Sequence, residues 1–221
     1  LLQRKGFFNG DTKGAAIQRA CTSTNLMRAY NLVHHVYVDS GYILPHQSGM
    51  RIRVFEALEE MATFTANIGR HVVGCTSLIT DSPDVGLPSD ATFWREINAL
   101  RDTGAHLSEA TNQAVAPSHR NSGVATELVR CIVAQAVSQG YDEMIAAASP
   151  SHNNFYEALG FRKLADVRRY SKTVDDQVIL ISLNLKEFKP ADENSQDHNE
   201  AFGKQFLYTD NPYNSFVKGW D

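Results

Sequence analysis

Long apolar runs are missing from this chain of 221 residues, and with them any stretch near the length of a membrane span. No signal-peptide pattern is present either. The chain opens on Leu1 rather than Met, so targeting signals ahead of it stay open. Cysteine is scarce: Cys21, Cys75 and Cys131 are odd in number and widely spaced, and they form neither a disulfide framework nor a C-x-x-C metal pair. That usage fits a reducing compartment, so the expected location is cytoplasmic. No basic run dominates and the formal net charge is -4, which argues against nucleic acid as the main partner. None of the eight histidines shows ligand spacing such as H-E-x-x-H. His34 and His35 are neighbours on a predicted helix and so point in different directions, and no metal is expected. No two of the 14 glycines lie two apart, which removes the G-x-G-x-x-G dinucleotide fingerprint. Gly69 and Gly74 are spaced as in a P-loop, but Cys75 replaces the lysine. There is no internal repeat.

What is present suits one globular domain: 43% of residues are hydrophobic, enough to bury a core at this length. Residues 1 to about 20 show no period and read as loop or a frayed arm. Leu26, Tyr30, Val33 and Tyr37 recur at helical spacing, with Gly41 as the stop. Residues 62–83 alternate as two strands around a turn at Gly69-Arg70. A helix follows over residues 87–104, capped by Ser89 or Asp90, with Phe93, Ile97 and Leu100 as its apolar face. A strand runs from Ala105 to its break at Pro117, and a broad helical stripe (Val124, Leu128, Ile132, Ala136) runs from Gly123 to Gly140. A short buried strand (residues 143–149), a short helix (152–161) and two last strands (161–170 and 176–185) complete the pattern. Beyond Pro190 the chain is polar, then aromatic: Phe202, Phe206, Tyr208, Tyr213, Phe216 and Trp220.

The stretch VAPSHRNSGVATELV, residues 115–129, carries the chemistry. It joins a strand to the longest apolar helix and holds Arg120, Ser122 and Gly123 at the junction. The unpaired N–H groups of a helix's first turn, with the helix dipole, bind anions such as phosphate. Gly123 has no Cβ to hold a ligand away from the backbone. Such a loop works with main-chain donors and needs no side-chain nucleophile; the plain alternative is a strand-to-helix turn with no ligand.

Arg120-Asn121-Ser122-Gly123-Val124-Ala125, after a Val115-x-Pro117 strand end, resembles the R/Q-x-x-G-x-G/A pyrophosphate motif of the GNAT N-acyltransferase superfamily. NNFYEALGFRKL is similar to that superfamily's late Y-x-x-x-G-F signature, with Tyr156, Gly160 and Phe161 in register. The segments AYNLVHHVYVDSGYI, GCTSLITDSPDVGLPSDATFWREINALRDTG and LSEATNQAVAP resemble the N-acyl amino acid synthase group, which is related to the acyl-homoserine-lactone synthases. The resemblance covers about residues 22 to 186. In one place the chain departs from that group: Asn112 stands three residues after Glu109, where arginine is frequent.

The resemblance implies an α/β fold of the GNAT type, with a central, mostly antiparallel mixed sheet splayed at the acyl-thioester site and helices on both faces. It divides the chain into an N-terminal arm (1–21), an acyltransferase domain (22–188) and a C-terminal tail (189–221) that is a lid or docking segment. The expected activity moves an acyl group from acyl-phosphopantetheine on an acyl carrier protein, or from acyl-CoA, to the amine of an amino acid or similar small molecule. Two alternatives stand beside it: an acetyl-CoA-dependent N-acetyltransferase of a small amine or protein, and a non-catalytic acyl-CoA-binding or phosphopantetheine-binding module. Oligomeric state is open.

Amine attack on a thioester needs a neutral amine, a polarised carbonyl and a protonated leaving thiolate. Since an α-amino group has a pKa of roughly 8, a modest base suffices. Glu109 is where the resemblance places the catalytic glutamate; otherwise it is a strand-edge carboxylate in a solvated salt bridge. Main-chain N–H groups of residues 114–116 are placed to polarise the carbonyl. Tyr156 is the expected proton donor to the thiolate, or else a core aromatic beside Phe155 and Phe161. The cofactor-binding set is Val115, Arg120, Asn121, Ser122, Gly123, Val124 and Ala125. Glu96 either touches the amine or pairs with Arg101 or Arg95; Arg101 is a second candidate substrate contact. His152 binds substrate, serves as a reserve acid or caps its loop. Arg51, Arg53, Arg162, Lys163, Arg168 and Arg169 either steer an acidic carrier protein or form a solvated face. No cysteine or serine sits beside a base in the sequence, so no covalent acyl-enzyme is expected.

Overall fold

Among the described residues, seven strands form one sheet, in the order β1-β2-β3-β4-β5-β7-β6. The computed structural model describes residues 11–58 and 60–188. The strands are β1 (Ala16–Arg19), β2 (Ala62–Ile68), β3 (His71–Thr80), β4 (Leu107–Val115), β5 (Glu143–Ala148), β6 (Arg162–Arg169) and β7 (Gln177–Asn184). Four helices interleave: α1 (Ser23–Asp39), α2 (Asp90–Arg101), α3 (Val124–Ser138) and α4 (Asn153–Ala158). The sheet already begins at β1, inside the segment expected to be an arm; β1 pairs antiparallel with β2 from Ala16↔Asn67 to Arg19↔Phe64. A strand of four residues, Ala-Ile-Gln-Arg, is too short to show an alternation. The aromatic tail lies outside the described residues.

All strand pairs are antiparallel except β4 with β5. A parallel pair needs a long crossover, and α3 supplies it. That pair is brief: Leu107↔Glu143, Ser108↔Met144 and Glu109↔Ile145. Past Glu109, β4 runs on to Val115 and β5 to Ala148 without pairing, so a gap opens between them. On its other edge β4 stays on β3 through a bulge: the register moves from Ser77↔Thr111 to Cys75↔Ala114, with Asn112 in the left-handed region at φ 55°. A bulge adds one residue to a strand and re-aims the chain beyond it.

Alternation along the strands sorts the core onto two faces. Leu78, Met144 and Ile181 face α3. Ile79, Ile145 and Leu180 face α2, and Cys75 and Ala114 pack with Ala29 and Val33 of α1. Phe93 and Ile97 are fully buried, as the apolar face of α2 predicts, and such burial contributes about 1.5–3 kcal/mol each.

Gly74 is a packing residue, not part of a phosphate loop. A Cβ there would stand 2.6 Å from Val124 Cγ1 and 3.0 Å from Leu128 Cδ1, so its absence sets how close the start of α3 lies to β3. Gly74→Ala is expected to cost about 1–3 kcal/mol in urea unfolding, because the β-branched Val124 cannot swing aside; an unchanged midpoint would refute the close approach.

Candidate active site

The gap between β4 and β5 opens into a cavity of about 1080 Å³. Its walls come from β4, the start of α3, the end of α1, the turn after β5, and residues 170–178 between β6 and β7.

At the helix end, a 3-10 turn (Pro117–His119) leads into Asn121, whose φ of 55° turns the chain into α3. Ser122 Oγ donates to the His119 carbonyl at 2.6 Å and accepts from Val124 N–H at 3.4 Å. Gly123 N–H donates to the Asp11 carbonyl at 2.9 Å. That corrects the expectation of an unbroken cradle from Ser122 to Ala125: the Gly123 donor is engaged within the chain. Among the described residues, the N–H groups of Asn121, Ser122, Ala125 and Thr126 have no acceptor. They meet the dipole of a 15-residue helix, with Arg120 and Lys13 also lining the cavity. Val115 and Ala125 line it too, whereas Val124 is buried against the sheet.

The carbonyl-polarising donors expected at residues 114–116 reduce to fewer. Ala116 N–H is engaged by the Val73 carbonyl at 2.8 Å. Alternation then turns the Val115 N–H toward the open side, where β5 no longer pairs.

Glu109 stands at the last paired position of β4, 1% exposed, and lines the cavity. It is no solvated strand-edge carboxylate. Ser89 N–H donates to Oε2 at 2.9 Å and Ser89 Oγ to Oε1 at 2.7 Å. Burial pushes its pKa up to about 7, opposed by the two Ser89 bonds and the nearby Arg53 charge. Ser89 is the residue before α2, and its hydroxyl makes no capping bond; it is turned to the carboxylate instead. The segment Gly86-Leu87-Pro88-Ser89-Asp90 thus holds the Glu109 carboxylate. Gly86 takes φ 64°, Asp90 accepts from Leu87 N–H at 2.7 Å, and Arg101 ties both Asp90 and Asp81 at 2.7 Å.

Tyr156 lies between the two roles foreseen for it. Its ring stacks edge-on with Phe155 and Phe161 at 5.1 and 5.4 Å, and it also lines the cavity. Burial pushes its phenol pKa up, so the hydroxyl stays protonated near neutrality. His152 is exposed on a 3-10 turn and lines the cavity. Glu96 and Arg101 are not among the cavity's lining residues. Glu96 pairs with Arg168, neither of the arginines expected for it. The basic set expected on the surface is also mostly engaged: Arg53 with Glu56, Arg162 with Glu143, Lys163 with Asp166. Arg51 points into the cavity rather than out. Asn112, at the position where arginine is frequent, donates to Glu56 at 3.0 Å.

Sequence reading missed Ser89 as a partner of Glu109, although it stands inside the recognised Gly-Leu-Pro-x-Asp piece. It also missed Tyr170, Asp176 and Gln113 on the cavity wall; no local pattern marks them. Cys75 is fully buried and its thiol pKa is pushed up by that burial, which removes it as a nucleophile. Among the described residues no group of three His, Cys, Asp or Glu could hold a metal ion, and no helix is long and apolar enough to cross a membrane.

A family model described as N-acyl amino acid synthase FeeM matches residues 28–184. No curated protein matches the chain in sequence. The fold is similar to that of FeeM, an N-acyl amino acid synthase from uncultured soil microbes, with TM-score 0.69 and 24% identity over 78% of this chain and 92% of that one. It is similar to a CoA-dependent acyl-homoserine lactone synthase, BjaI, with TM-score 0.63 and 13% identity over 89% and 92%. Escherichia coli ElaA follows the same fold, with TM-score 0.58 and 14% identity over 77% and 99%.

Two outcomes test the Glu109 environment. Ser89→Ala removes a bond that favours the ionised form, so the pKa governing activity should move up from about 7 by roughly one unit; an unmoved pH–rate profile would show that the hydroxyl does not matter. Because the fold raises the carboxyl pKa, wild-type protein carries no penalty below pH ~4 and loses stability as pH rises through ~7. Glu109→Gln should match wild type in urea unfolding at pH ~4 and exceed it by about 3 kcal/mol at pH ~8.

Proposed function

The chain belongs to the N-acyl amino acid synthase family, acyltransferases of the GNAT type, and from that premise we propose that it joins an acyl group to the amine of an amino acid. The observation that carries the reading is Glu109: a buried carboxylate of pKa about 7 on the wall of the gap, on the same cavity as the donors at the start of α3. The donor is a thioester on phosphopantetheine, borne by an acyl carrier protein or by CoA. Its phosphate lies against the N–H groups of Asn121, Ser122, Ala125 and Thr126, and Arg120 adds charge.

The pantetheine arm then follows the open edge of β4. The Val115 N–H stabilises the oxyanion that develops on the thioester carbonyl. The amine nitrogen attacks that carbon, the C–N bond forms and the C–S bond breaks. Glu109 takes the proton the amine loses, directly or through one water. With its pKa near 7 it is ionised about half the time at neutrality and is matched to an amine of pKa roughly 8. Tyr156 supplies the proton that the departing thiolate needs. The acyl group passes straight to the amine, with no acyl-enzyme.

Purified protein should be given dodecanoyl-CoA, dodecanoyl carrier protein and acetyl-CoA in parallel, with a pool of amino acids, and the products weighed by mass spectrometry. A long-chain N-acyl amino acid is the expected product, and its donor identifies CoA or carrier protein. Glu109→Gln should lower kcat by on the order of 100-fold or more. Turnover with acetyl-CoA alone would assign an acetyltransferase. Binding of acyl-CoA without any turnover would assign a binding module.

A further inference from the structure

Arg51 is a buried cation without an anion. It stands beyond α1, its own N–H donating to the Tyr30 carbonyl at 3.1 Å, and its side chain enters the cavity that holds Glu109. Nε and Nη1 are buried and donate to no partner, and no ion pair reaches the guanidinium among the described residues. Its Cζ lies over the face of the Tyr37 ring, 5.3 Å from the ring centroid. The neighbouring acids do not answer it. Glu56 is committed to Arg53, and Asp176, buried on the same wall, feels the Arg51 charge without pairing with it.

A desolvated guanidinium without a counterion is costly, so a folded protein keeps one where an anion arrives. Burial draws its pKa down. The phosphate end of the donor has its own donors at the start of α3. Arg51, Glu109 and Tyr170 line the same cavity, which puts the guanidinium and the Glu109 carboxylate in one chamber. An anion held there belongs to the molecule whose amine meets Glu109.

We propose that Arg51 binds the α-carboxylate of the amino-acid acceptor and orients its amine toward Glu109. The assignment rests on the N-acyltransferase reading above and names the residue that reads the acceptor's acid group. Guanidinium and carboxylate match as a two-pronged pair. Tyr37 holds the plane of the guanidinium, and the distance between Arg51 and Glu109 sets where the α-amine must sit.

The test gives wild type, Arg51→Met and Arg51→Lys the twenty protein L-amino acids and their α-carboxamides, with both dodecanoyl thioesters as donors. Wild type should prefer acid over amide by on the order of 100-fold in kcat/KM. Arg51→Met should lose that preference through KM for the acids, leaving the amides within about threefold, and Arg51→Lys should keep part of it. Folding is followed separately. Met removes an unpaired buried charge, so its melting temperature should equal or exceed that of wild type. N-dodecanoylglycine should raise the melting temperature of wild type but not of Arg51→Met. Equal use of acids and amides by wild type, or an equal loss of both in Arg51→Met, would overturn the Arg51 assignment and leave the acyltransferase standing. Transfer to no amine from either donor would overturn both.

Discussion

Two parallel strands that share hydrogen bonds only as far as Glu109 and Ile145 must leave the rest of their facing edges bare. Backbone groups in a protein interior are almost always paired, so this gap is a cost that the rest of the fold tolerates. The long β5–β7 and β3–β4 ladders hold the outer edges of the two strands, and α3 bridges them on one face. The sheet is therefore continuous on either side of an opening it cannot close by itself. An extended arm with amide groups, such as pantetheine, is the kind of ligand that completes such an edge.

The position of Glu109 follows from the same geometry. Glu109 is the last residue before the strands part, so its backbone is pinned while its side chain looks into the gap. A carboxylate there loses water on all sides, and burial alone would drive its affinity for protons still higher. Two hydrogen bonds from Ser89 counter that, and the compromise falls near neutrality.

Much of this could be read in the residues. Period-two and helical patterns marked the strands and helices from α1 to β7, because each buries one face and exposes the other. The junction at residues 120–125 and the Tyr156-to-Phe161 piece pointed to the fold, which the seven-stranded sheet bears out. What failed to show was any feature made by distant contact. Ser89 is 20 positions from Glu109 and reads locally as a helix cap. Arg51 reads as surface charge because exposure is not written in a single residue. Gly123 carries the glycine expected for close approach, yet its N–H meets Asp11, a partner 112 positions away in a segment without a period. Glu96 and Arg101 sit on one helix, but Glu96 meets Arg168 of β6 and Arg101 meets Asp81 and Asp90.

One hydrogen-bonding residue ties the chemistry to the scaffold in an unexpected way. Ser89 stands just ahead of α2, whose start is locked by Arg101 across Asp81 and Asp90. The proton affinity of Glu109 is thereby written into the placement of a whole helix. Anything that nudges α2 by a fraction of an ångström stretches both Ser89 bonds together and retunes the acid–base set point, with no atom of the cavity altered.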